Sequence, residues 1–99
     1  MATYAELREL QADSSLRNRV AVAVAVKAQG LIDGATPTTA QITWASGALN
    51  DPQGKAIAIL NYVLAANKGL SVAAIQGASD SAIQTNVDSA VDALIAGGA

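Results

Sequence analysis

The sequence predicts an all-α protein, a small bundle of four main helices at about 14–33, 38–49, 52–68 and 79–96, with short helices at 3–12 and 71–76. Three observations predict it. Cap and proline punctuation recurs between apolar segments, at Asp13-Ser14-Ser15, Thr36-Pro37, Asn50-Asp51-Pro52 and Ser79-Asp80. Apolar residues recur at helical spacing, most clearly at Ile83, Val87, Val91, Leu94 and Ile95. The longest apolar run, Leu16 to Ile32, is apolar on two sides and so reads as a central helix covered on both.

In chain order, residues 3–12 read as a short helix. Thr3 and Glu6 have capping-box spacing, and Tyr4, Leu7 and Leu10 form its stripe. Asp13-Ser14-Ser15 then caps the central segment, LRNRVAVAVAVKAQGLI. At about 100° per residue, Leu16, Val20, Val24 and Leu31 share one face, and Val22 and Val26 lie nearly opposite. Alternating valine and alanine also has the period of a strand, and valine is β-branched. Helix is preferred because the alternation is large with small, not apolar with polar. The polar residues Arg17, Asn18, Arg19, Lys27 and Gln29 do not alternate, and Gly30 and Gly34 bracket a stop.

Pro37 suits a first helical turn with Thr36 as its cap. In the helix that follows, Ile42, Ala45 and Leu49 share a face and Trp44 lies on its flank. Asp51-Pro52 opens the next helix, with Ile57, Leu60 and Leu64 on one side and Ile59 and Val63 beside it. Lys68-Gly69-Leu70 closes it: a cation at the negative dipole end, a left-handed glycine, and a leucine that folds back. Ser71 caps a short piece, and Ser79 or Asp80 caps the last helix.

Ninety-nine residues make one domain, expected to have loose ends at about 1–3 and 97–99. Hydrophobic residues are 52% of the chain, but alanine supplies much of that, and there is no Phe. Such a chain packs closely, buries modest area, and can gain stability from neighbours. A net charge of −2 gives no electrostatic footprint for nucleic acid. Met1 to Glu6 has neither the basic nor the apolar region of a leader, and no run is long enough to span a bilayer.

With no His and no Cys, the commonest acid–base and nucleophilic side chains are missing, and the glycines show no phosphate-loop spacing. No enzyme, cofactor or metal site is expected. Asp80, Asp88 and Asp92, with Gln84, share one face of the last helix. They read as its solvated back; a cation site would need a further ligand. Arg8, Arg17 and Arg19 read either as surface partners of Glu6, Glu9 or Asp13, or as a docking patch for an acidic surface. Trp44 and Tyr62 are either core residues or interface anchors.

Three stretches, YAELRELQADSSLRNRVAVAVAV, ITWASGALNDP and NYVLAANKGLSVAAIQGASDSAIQTNVDSAVDAL, resemble small proteins encoded among the virion structural genes of tailed bacteriophages. The similarity covers nearly the whole chain, and its motifs (LRNRVAVA, VLAANK, and the run from Ala78 to Gln84) carry no known chemistry. The resemblance implies a virion component, made in the host cytoplasm and then assembled. Small all-α virion proteins of this size resemble head–tail connector (adaptor, head-completion) subunits that form a ring at the portal. The implied partners are further copies of the chain and portal, capsid or tail proteins, with no sequence-specific nucleic acid and no membrane. A capsid-associated or decoration protein, and a small helical binding or regulatory module, are the other readings. A ring subunit needs a compact body, here about 14–95, with ends that order on docking.

Overall fold

Four helices, α1 Ser14–Ile32, α2 Thr39–Asn50, α3 Pro52–Ala65 and α4 Asp80–Ala96, form the fold. The structure is a computed structural model that describes residues 5, 8–9, 12–65 and 76–97, with backbone alone for 61–65. No strand occurs among the described residues, so the valine-alanine alternation is helical. Ala5, Arg8, Glu9 and Ala12 are helical, in keeping with the short helix expected at 3–12. The rest of that helix, the piece at 71–75, the stop at Lys68-Gly69-Leu70 and the outermost residues of both ends lie outside the described residues.

Each helix begins where a side chain satisfies an orphan amide. The Leu16 N–H donates to Asp13 Oδ1 at 3.0 Å, the Gly54 N–H to Asp51 Oδ1 at 3.0 Å, and the Ala82 N–H to Ser79 Oγ at 3.1 Å. At α2 the cap is Thr38, not Thr36. Its Oγ1 accepts from the Gln41 N–H at 3.1 Å, and its own N–H donates to Gln41 Oε1 at 2.9 Å. This reciprocal pair outcompetes Thr36, sets the helix start at Thr39, and leaves Pro37 before the helix. Gly97 serves as the C-cap of α4.

Helix α1 packs against all three others and is the axis of the domain. Leu16, Val20, Val24 and Ala28 are buried on it and meet Ala45 and Ala48 of α2, Ala56, Ile59 and Leu60 of α3, and Ile83, Val87, Ala90 and Val91 of α4 in one core cluster. Alanine at so many of these positions lets the helix axes approach closely.

Two expectations about faces are overturned. Val22 is 65% and Val26 56% exposed, so α1 is covered on one side only. The cores of the three neighbouring described helices meet α1 on the Leu16–Val24 side. On α2, Ile42 and Leu49 are exposed while Trp44, Ala45 and Ala48 are buried. The small residues face inward because α2 lies against α1, and the indole fills the space beside them.

Candidate interaction surface

A row of polar contacts joins α1 to α4. Arg19 Nη2 lies 2.8 Å from Asp80 Oδ1 and donates to the Ala78 carbonyl at 2.6 Å, while Arg19 Nε donates to Asp80 Oδ1 at 2.9 Å. One turn on, Gln84 Nε2 donates both to the Ala23 carbonyl at 3.0 Å and to Asp88 Oδ1 at 2.9 Å. Lys27 Nζ then meets Asp92 Oδ1 at 2.9 Å. Numbering rises together on both helices along this row, so α1 and α4 run parallel. Gln76 Nε2 adds a bond to Asp13 Oδ2 at 3.1 Å, which fastens the approach to α4 onto the start of α1.

Asp80 and Asp92 keep largely solvated side chains, 88% and 62% exposed, as a solvated back requires, and each also holds a basic residue of α1. The four-residue spacing carries these residues along the edge of the Ile83–Val91 stripe, on the side turned toward α1. They form the seam between two helices. Among the described residues there is no group of three or more acidic, His or Cys side chains able to hold a metal ion.

The outer side of α1 is a different surface. Val22, Val26, Gly30 and Ile32 are exposed there and Ala25 is half-buried; at its two ends the Gln53 side chain of α3 donates to Asn18 Oδ1 at 2.7 Å and Gln29 Nε2 donates to Asp33 Oδ1 at 3.0 Å. Two of the three charges of the helix, Arg19 and Lys27, are drawn to its α4 edge by Asp80 and Asp92, and the third, Arg17, is half-buried. A strip centred on two valines remains. Scattered exposed apolar residues are ordinary, and neighbouring ones on one helix face make a candidate contact surface.

A third feature is a groove of about 510 Å³ between α2, α3 and the end of α4. Trp44, Ile59, Leu94 and Ile95 supply apolar walls, Thr43 a hydroxyl, and Lys55 a cation. The Lys55 ammonium stands 5.9 Å from the Trp44 ring centroid, within cation–π range.

The residues singled out from the sequence do not gather into one site. Arg8 is exposed near the start of the chain. Arg17 is half-buried, and its Nε is buried with no hydrogen-bond partner among the described residues. Arg19 takes a partner from α4, Asp80, and none from Glu9 or Asp13 among the described residues. Trp44 is buried, 8% exposed, and forms one wall of the groove. The Tyr62 backbone belongs to α3, and its side chain lies outside the described residues.

Sequence reasoning missed Lys55 and the openness of the Val22–Val26 side. For Val22 and Val26 a signal was present: Asn18 and Gln29 flank them, and amides are poorly suited to a buried face. Lys55 carried no signal, because Trp44 lies on another helix. No helix among the described residues is long and apolar enough to cross a membrane. No family model, no curated protein and no solved structure matches the chain.

Proposed function

We propose that this chain is a non-enzymatic structural subunit of a tailed-phage virion, a head–tail connector subunit that assembles into a ring at the portal. The outer side of α1, with Val22 65% and Val26 56% exposed, carries the reading. Val22 and Val26 are the most exposed large apolar side chains among the described residues, and they lie one turn apart on the axial helix. Contact with a neighbour would bury them, and in a ring the same strip on every subunit meets a different surface on the next. The sequence resemblance to small virion proteins supports the same reading. On it the chain acts by shape and by burial of this strip, with portal, capsid or tail proteins as the further neighbours.

The test is quantitative mass spectrometry of purified particles, counting the chain against the major capsid protein. About a dozen copies per particle is the expected result, the number of a closed ring at one vertex. Hundreds of copies would assign the chain instead to the capsid shell, as a decoration protein, or to the tail tube. Absence from particles would replace the structural reading by a small helical binding module.

A further inference from the structure

The groove beside Trp44 holds a cation, Lys55, that has no carboxylate partner among the described residues. On a helix, an aspartate four residues before a lysine ordinarily offers it a carboxylate. Asp51 stands four residues before Lys55, but its Oδ1 accepts from the Gly54 N–H and caps α3. Lys55 makes no ion pair among the described residues; its ammonium rests over the Trp44 ring, and its stem passes Gly47, where an added Cβ would sit 3.6 Å from Lys55 Cε. Around it, Ile59, Leu94 and Ile95 leave an aliphatic hollow of about 510 Å³ that opens to solvent. That volume falls within the range of ligand clefts, about 300–1,000 Å³.

Charge complementarity selects the occupant. A cation on a rim whose other described polar group is the Thr43 hydroxyl disfavours a purely aliphatic guest, because closing over it strands the ammonium. A basic guest is repelled. What satisfies both parts is an aliphatic body with a carboxylate beside it, and the indole is the kind of anchor on which such contacts centre. We propose that the Trp44–Lys55 groove is a docking site for a segment of a partner protein that presents aliphatic side chains next to a carboxylate. This inference does not depend on the place of the subunit in a virion.

Trp44 is the one tryptophan of the chain, so its emission reports the groove directly. The whole protein is titrated with a blocked hexapeptide of alternating leucine and aspartate, and with leucine–asparagine and leucine–lysine counterparts. The expected result is a saturable change in emission with the aspartate peptide. Its affinity should fall by about five- to tenfold with the asparagine peptide or in Lys55→Gln, since a half-buried ion pair lies between the exposed and buried cases. Lys55→Glu should reverse the preference toward the lysine peptide, and circular dichroism verifies that both variants keep their helices. No saturable response up to about 1 mM would overturn the proposal. So would equal binding of the aspartate and asparagine peptides, or unchanged binding in Lys55→Gln. A response to decanoate without one to the peptide, or an emission change that follows protein concentration alone, would replace the partner segment by a small organic acid or by a second copy.

Discussion

Lys27 interrupts the most apolar stretch of the chain, and its ammonium lies 2.9 Å from Asp92 Oδ1 on the parallel helix α4. The two ends of this pair differ in environment: the Lys27 side chain is 17% exposed and that of Asp92 62%. Solvent screens most of the attraction at Asp92. The larger consequence of losing the carboxylate is a mostly covered ammonium left without its partner.

Asp92→Asn should therefore lower stability by about 0.5–1 kcal/mol, the upper part of the range for accessible ion pairs. Urea denaturation at low and at 1 M salt measures it. The cost should shrink at high salt, where the Debye length is about 3 Å. A cost independent of salt would mean that the pair is not electrostatic in origin.

The two sides of α1 make opposite predictions. Val24 is fully buried, and Val24→Asp should unfold the domain, since an unpaired buried charge costs about 3 kcal/mol or more. Val22 is 65% exposed, and Val22→Asp should leave the melting temperature nearly unchanged while abolishing incorporation into particles. Thermal melts of both variants decide the fold assignment. A well-folded Val24→Asp protein would contradict it, and efficient incorporation of Val22→Asp would remove the outer strip from the proposed contact.

Two glycines should respond differently to alanine. A Cβ at Gly30 meets nothing within 4 Å, so Gly30→Ala should stabilise α1 by about 0.5–1 kcal/mol through helix propensity. A Cβ at Gly54 collides with the Asp51 carboxylate, which accepts from the Gly54 N–H. Moving that carboxylate sacrifices the cap of α3, worth about 1 kcal/mol. Gly54→Ala should thus be less stable than Gly30→Ala by about that amount, and equal stabilities in chemical denaturation would contradict the cap.

Thr38→Ala removes the hydroxyl half of the α2 capping box and should cost about 1 kcal/mol. Thr36→Ala, outside the helix and exposed, should cost nearly nothing. The reverse ranking in paired melts would restore Thr36 as the cap.

Much of the fold was legible before the structure. The observed bounds of α1, α2 and α4 lie within a residue of those expected; α1 and α4 are marked by caps whose chemistry acts over three residues, whereas the α2 cap proved to be Thr38 in place of Thr36. Asp51-Pro52 marks the start of α3 as the caps of α1 and α4 mark theirs. The Ile83–Val87–Val91 stripe was legible because polar residues surround it. The choice of face on α2 was not: Ile42 and Leu49 are larger than Ala45 and Ala48, yet the alanines are the buried ones. Burial there follows from how closely α1 approaches, which no single-helix pattern contains. The groove was equally hidden, since Trp44 and Lys55 come from two helices and Leu94 and Ile95 from a third.

The sequence by itself determined the all-helical class, the starts of α1, α3 and α4, and the Leu16–Val20–Val24 face that enters the core. These follow from short-range rules: a cap accepts an amide three residues away, and the helical period sets angles around one axis. Only the tertiary structure decided that the Val22–Val26 side stays open, that Arg19 and Lys27 answer to Asp80 and Asp92, and that Lys55 comes to rest over Trp44. Arg19 and Asp80 are 61 positions apart, and their meeting depends on where the packed helices place α4 beside α1. Helical periodicity assigns each side chain a direction. The arrangement of the other helices decides what lies in that direction, whether core, partner charge or solvent.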